Sequence, residues 1–116
     1  MLIDAHAHLD MVAESDDQLL TLLEQARKKD ISHIIHISTD AASYLRIAPF
    51  ANKFPEQISL TFGYTPAESG KNSPTNIKYT QILEERQICA IGEIGLDYYH
   101  DYDTRSGQRA LFEEQL

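Results

Sequence analysis

Cysteine is almost missing from this chain: Cys89 is the only one among 116 residues, which excludes an internal disulfide. It lies in the apolar run "ICAIG", where it reads as a small buried hydrophobe of a reducing compartment. Cationic side chains are scarce as well, 10 Lys and Arg against 18 Asp and Glu, for a formal net charge of -8. That balance excludes a general nucleic-acid binder, because sequence-independent attraction to phosphate rests on clustered Lys and Arg. If phosphate is a substrate it needs another attractor, and bound divalent cations can supply the largest local charge of a site. No apolar run approaches the roughly 18 residues of a membrane span, and a basic segment followed by an apolar leader is missing from the start, so cytoplasmic residence is the expectation. Internal repeats, low-complexity tracts and long charge runs are also missing, and the length fits one domain with one core.

What the chain does contain is an alternation. Four short apolar runs, "MLIDAH", "HIIHIS", "ISLTFG" and "ICAIGEIG", read as strands, and helix-like segments separate them. Such alternation predicts βαβ units and a parallel sheet, an α/β fold. Ser15 and Gln18 form a capping box ahead of a stripe of Leu19, Leu22, Leu23 and Ala26. Asp40 is the expected N-cap of a second helix carrying Tyr44, Ile47, Ala48 and Ala51, with Pro49 predicting a kink or break. Ser73 and Pro74 predict the start of a third helix with Ile77, Ile82 and Leu83 on its apolar side. A fourth is expected to begin at Asp103 or Thr104 and to bury Leu111, Phe112 and Leu116. The polar stretch "AESGKNSP" reads as a surface loop. Four βα units fill the chain, whereas a closed eight-stranded barrel takes about 250 residues, so the expectation is a small open sheet or half a barrel.

Chemistry concentrates at two strand ends. In "MLIDAHAHLD", alternation puts Asp4, His6, His8 and Asp10 on one face, where two imidazoles can share an ion or simply form a polar strand edge or a hydrogen-bonded pair in a core. In "AIGEIGLDYY", Glu93 follows Cys89 and Ile91 on one strand face, so its carboxylate is expected on a buried surface, where it must be protonated, paired or metal-bound. Arg105 is the nearest cation in sequence for a purely structural pairing. Catalytic groups of parallel sheets collect at the carboxyl ends of strands, and His6, His8 and Glu93 all fall there. Of the remaining histidines, His33 and His36 flank and interrupt the second strand, where His36 could line a barrel interior or be solvated or bonded within the core, and His100 could contact phosphate or face water. Tyr98, Tyr99 and Tyr102 could stack on bases or simply cover a loop.

The pieces "IDAHAHLD", "STD", "IGEIGLDYY" and "TRSGQRALFEEQL" resemble the TatD family of metal-dependent deoxyribonucleases, among the amidohydrolase-like TIM barrels. The likeness runs along the whole chain and corresponds to the N-terminal half of such an enzyme. It implies that residues 1–116 form the first four βα units of a TIM-barrel hydrolase domain, with a parallel sheet. It further implies that His6, His8 and Glu93 are metal ligands, Glu93 also catalytic, around two divalent cations, Zn, Mn or Mg, with DNA as substrate and no membrane involvement. Asp97 then supports the ligands, while Tyr98, Thr65 and His100 contact substrate. Two departures stand out. Where the family shows a Gly-x-His-Pro-His pattern this chain reads "GYTPAE", with Thr65 and Ala67 at the histidine positions, and the family's remaining ligands come from later strands that these residues do not include. Two other readings follow: an amide or ester hydrolase on the same metal site, or an inactive half-barrel whose open sheet edges drive self-association or capture of the missing half.

Overall fold

The computed structural model describes residues 1–71 and 77–116. The elements run β1 (Leu2–Ala7), α1 (Leu9–Val12), α2 (Asp16–Lys28), β2 (Ile31–Ser38), α3 (Ala41–Lys53), β3 (Ile58–Phe62), a 3-10 turn (Pro66–Glu68), α4 (Ile77–Leu83), β4 (Ile88–Ile91) and α5 (Arg105–Glu114). All neighbouring strands are parallel, in the order β1-β2-β3-β4, with Asp4 opposite Ile34, Ile37 opposite Thr61 and Phe62 opposite Ile91. Each strand is followed by helix, as the alternation of apolar runs requires.

Local chemistry sets the helix starts. Ser15 Oγ accepts from the Gln18 N–H, while the Gln18 side chain reaches past the cap to accept from the Glu14 N–H. Asp40 Oδ1 accepts from the Ser43 N–H, and Thr104 Oγ1 from the Gly107 N–H. Each cap is worth about 1 kcal/mol. Of the kink or break expected at Pro49, the break does not occur: α3 runs through it from Ala41 to Lys53. The reason is orientation, since Pro49 and Leu45, whose carbonyl Pro49 cannot pair, both lie on the exposed side, where water can serve that carbonyl. The start expected at Ser73 and Pro74 lies outside the described residues, as do the side chain of Ile77 and the end of the "AESGKNSP" stretch.

The core forms between one face of the sheet and the helices. Ile34, Ile58, Leu60 and Phe62 meet Leu19 and Leu23 of α2 and Ile47 and Phe50 of α3. At its centre Phe62 packs edge-on against Tyr44 and Tyr64 and tilted against Tyr79, with ring centroids 5.4–5.5 Å away. Such ring pairs add about 0.5–1.5 kcal/mol each beyond the area they bury.

Both sheet edges are open. β1 is exposed along almost its whole length, and β4 leaves Cys89, Ala90 and Ile91 exposed. Cys89 is therefore not the buried hydrophobe its apolar neighbours suggested, because among the described residues no strand covers β4 on its outer side. Leu116, expected in the core, is exposed, lying beyond the end of α5. The radius of gyration is 15.0 Å, against about 13 Å for a compact domain of this length.

Candidate metal centre

The carboxyl ends of β1 and β4 bring three donors together. His6 Nε2 lies 3.8 Å and His8 Nε2 4.0 Å from Glu93 Oε2, and one ligand atom from each of the three residues falls within 4.8 Å of the others. β1 and β4 are the two edges of the sheet. In a flat sheet three strand spacings would hold them about 14 Å apart. The gap is closed at the end of β2, where the Glu93 N–H donates to the Ser38 carbonyl at 3.3 Å and His8 Nδ1 to the Ile37 carbonyl at 3.0 Å.

Glu93 is placed by backbone. The Gly92 N–H donates to the Phe62 carbonyl at 3.0 Å and the Glu93 N–H to the Ser38 carbonyl at 3.3 Å, while Thr61 Oγ1 donates to the Gly92 carbonyl at 2.6 Å. Gly63 completes the seat, because a Cβ there would stand 2.6 Å from Ile94 Cγ2 and 3.0 Å from the Glu93 carbonyl oxygen. Neither Gly63 nor Thr61 stood out among the candidate residues. A glycine directly after the apolar run "ISLTF" was the available signal, since glycine in that setting often marks close backbone approach.

The expected burial of Glu93 is not what the structure shows: its side chain is 47% exposed. β4 ends at Ile91, and the face that carries Cys89, Ile91 and Glu93 is open. Its neighbours are the two imidazoles, whereas Arg105, the candidate structural partner, lies over the Tyr98 ring at 4.8 Å. Asp10 also departs from the shared β1 face, because the strand stops at Ala7 and Leu9 begins α1.

A metal ion fits these groups chemically. Separations of 3.8 and 4.0 Å are too long for hydrogen bonds. They approach the spacing of two donors around one ion with bonds of about 2.0–2.2 Å. His8 Nδ1 lies 3.0 Å from the Ile37 carbonyl, so it carries the proton and donates, leaving the Nε2 lone pair directed to the shared space. That arrangement of a backbone carbonyl behind a ligating imidazole is the usual support for a metal-bound histidine. Three protein donors leave positions for water and substrate.

The other titratable candidates go elsewhere. His36 is fully buried, accepting the Leu9 N–H at Nδ1 and meeting Ser43 Oγ at Nε2, and burial pushes its pKa down to about 4. With Asp10 Oδ1 at 4.0 Å it superficially resembles a Ser-His-Asp relay, but Nδ1 accepts from backbone and so carries no proton to share with that carboxylate. His33 is bonded to the Glu56 carbonyl and Ser59 Oγ. Thr65 is half-buried beyond β3, its N–H donating to the Thr39 carbonyl. Asp97 is not among the three converging donors; it ties the loop after β4 by accepting from the N–H groups of Tyr99 and His100 and from His100 Nδ1, bonds that hold its carboxyl below the ordinary range. Tyr98 and His100 lie on this same loop.

Comparisons with known proteins agree with this architecture. The family model described as TatD related DNase matches residues 3–116. An uncharacterized metal-dependent hydrolase of Buchnera aphidicola subsp. Baizongia pistaciae is 29% identical over 99% of this chain and 44% of its own length. The uncharacterized metal-dependent hydrolase YjjV of Escherichia coli K12 is 30% identical over 98% of this chain and 44% of its own length. The crystal structure of that TatD homologue superposes with a TM-score of 0.81, covering 98% of this chain and 44% of its own. A TatD-family hydrolase from Entamoeba histolytica, 22% identical, has the same fold at a TM-score of 0.83 over 98% of this chain and 44% of its own. The chain thus spans less than half the length of the relatives it matches, and its fold is the N-terminal half of their barrel.

Proposed function

This chain belongs to the TatD-related DNase family, and from that premise we propose that it forms the N-terminal half of a divalent-metal-dependent hydrolase domain that cleaves phosphodiester bonds of DNA. The observation that carries the reading is the convergence of His6, His8 and Glu93 at the carboxyl end of a parallel sheet. His6, His8 and Glu93 would hold the metal, with Glu93 holding or bridging in a centre of two ions, Zn, Mn or Mg. The chemistry a bound divalent ion supplies is activation of water at neutral pH and stabilisation of charge on the phosphoryl oxygens. It also answers the charge problem, since a chain of net charge -8 attracts a polyanion only through added cations.

Hydrolysis adds water across one P–O bond. The water oxygen bonds to phosphorus, the ester oxygen leaves and takes up a proton, and the proton lost by the water must be accepted nearby. With Oε2 facing the imidazoles and assigned to the metal, the other carboxylate oxygen of the half-exposed Glu93 would accept it. His8, its Nδ1 engaged with the Ile37 carbonyl, orients its Nε2 towards the same space throughout.

Thr65 and Ala67, which stand where the pattern implied by the family resemblance has histidines, favour a second reading in which the same centre cleaves an amide or ester. One experiment separates them: metal-dependent release of nucleotides from a single-stranded oligonucleotide, run beside an acyl ester under the same conditions. The proposal expects nucleotide release that His6→Ala and Glu93→Ala abolish. Activity unchanged in those variants removes both residues from the mechanism.

A further inference from the structure

The turn that follows His8 is held by a buried side chain that is not itself one of the converging donors. Leu9 opens α1, a helix of only four residues whose N-cap is His8. So short a helix cannot fix its own geometry, because one turn gains too few hydrogen bonds to offset the cost of nucleation. His8 gives it no help: its side chain makes no cap hydrogen bond, since its Nδ1 is engaged with the Ile37 carbonyl at 3.0 Å. The Leu9 N–H therefore needs a partner from elsewhere, and Leu9 is only 1% exposed, which shuts out water.

β2 supplies that partner. His36 Nδ1 accepts the Leu9 N–H at 3.1 Å, so the proton of the neutral ring sits on Nε2, which faces Ser43 Oγ of α3 at 3.3 Å. Burial keeps the ring neutral, its pKa pushed down to about 4. Asp10 Oδ1, 4.0 Å from Nδ1, is too distant to compete. Two adjacent residues of β2 thus grip two adjacent residues at the end of β1 crosswise: the His36 side chain holds the Leu9 backbone, and the Ile37 backbone holds the His8 side chain. The His8 backbone, at φ -101° and ψ 80°, lies between strand and helix, so the direction of its ring depends on where the next residue is pinned. Ligand sets work only when held to within about 0.5 Å.

We propose that His36 is a positioning residue of the metal centre: by accepting the Leu9 N–H, its Nδ1 fixes the turn after β1 and keeps His8 Nε2 directed at the space shared with His6 and Glu93. The proposal rests on the metal-centre reading above and adds to it a residue that never touches the ion. What position 36 must provide is a buried hydrogen-bond acceptor. An apolar side chain there leaves all three ligands in the chain but frees the His8 ring.

The test reads that ring directly. NMR of the metal-free chain with isotopically labelled histidine rings reports which nitrogen carries the proton. In the wild type His8 should be protonated at Nδ1 alone and His36 at Nε2 alone. His36→Leu should turn the His8 signal into an average of both tautomers, and His36→Asn, whose Oδ1 can stand in for Nδ1, should restore the wild-type pattern. In isothermal titration with Zn, His36→Leu should weaken binding about 10–100-fold, the range for lost ligand support, and His36→Asn by no more than about three-fold. A merely structural role would lower both variants alike, since both shrink the buried ring. Equal losses of Zn affinity, an unchanged His8 tautomer in His36→Leu, or a proton on His36 Nδ1 in the wild type overturns the proposal, and the last needs no variant to fold. If the wild type takes up no Zn, the metal-centre reading falls, while the His8 tautomer in His36→Leu still decides for or against His36. If Zn binding is lost in His8→Ala but untouched by His36→Leu, only the role of His36 falls.

Discussion

Gln115 should contribute more to stability than any charged residue of α5. Its side chain is 3% exposed and makes three hydrogen bonds: Oε1 accepts from the Tyr64 N–H at 2.6 Å, and Nε2 donates to the Tyr64 carbonyl at 3.0 Å and the Leu111 carbonyl at 3.2 Å. It therefore ties the end of α5 to the residues just beyond β3, beside the ring cluster of Phe62, Tyr64 and Tyr79. Gln115→Ala strips a buried N–H and a buried carbonyl of partners, at about 1–3 kcal/mol for each group left unpaired. The expected loss is about 3 kcal/mol, a large part of the roughly 5–15 kcal/mol that holds a domain together. Arg109→Ala, on the same helix, breaks only an exposed pair with Glu113 at 3.4 Å and should cost under about 0.5 kcal/mol. Urea melts followed by circular dichroism measure both, with the slope of the transition checking that the unfolded state is unchanged. A Gln115→Ala protein within about 0.5 kcal/mol of wild type would mean that Tyr64 is hydrated and α5 undocked, and the reasoning would be wrong.

Acid should expose the buried imidazole. His36 is pushed down to about 4 in the fold from 6.5, so the unfolded chain binds the extra proton between those values and stability falls as pH drops through that window, by about 3 kcal/mol at its foot; His36→Gln should flatten this part of a stability-pH curve measured by urea melts, and an unaltered curve would exclude the cause. Isothermal titration with Mn or Zn should show Gly63→Ala weakening the site about 10–100-fold, the range for disturbed ligand support, because the added Cβ collides with Ile94 and the Glu93 backbone; affinity equal to wild type would dissociate Gly63 from the site. Saturating metal at about a hundred times its Kd should raise stability by about 2.7 kcal/mol, a gain that Glu93→Gln should lose in thermal melts. The open β1 edge should pair with further β-structure, so sedimentation of this 13.2 kDa chain should show concentration-dependent association, which Ile3→Lys on the exposed edge should suppress. A monomer at all concentrations refutes that expectation.

What was legible in the sequence was whatever local chemistry decides. Ser15, Asp40 and Thr104 announce helix starts because a short oxygen-bearing side chain before an amphipathic stripe has few other uses, and each accepts the hydrogen bond expected of it. The four strands are legible for the same reason, as apolar runs bounded by turns. α1 is not, because four residues are too few to show a period. Pro49 and Cys89 misled because their outcomes depend on facts outside their windows: which side of α3 faces water, and whether another strand flanks β4. Tyr98 and Tyr99 are alike in sequence, yet Tyr98 has the Arg105 guanidinium over its ring and is 43% exposed, while Tyr99 is 91% exposed.

The geometry of the site ties it to the core on the far side of the sheet. His6 and His8 follow from β1 and Glu93 from β4, and both sides are held at the end of β2, through the Ile37 carbonyl behind His8 and the Ser38 carbonyl that accepts the Glu93 N–H, so their spacing depends on the strands between them. Phe62 belongs to both systems: its ring centres the aromatic cluster against the helices, and its carbonyl accepts the Gly92 N–H that seats Glu93. Packed cores shift between discrete arrangements rather than bending freely, so the helices fix the strand ends at which the donors meet.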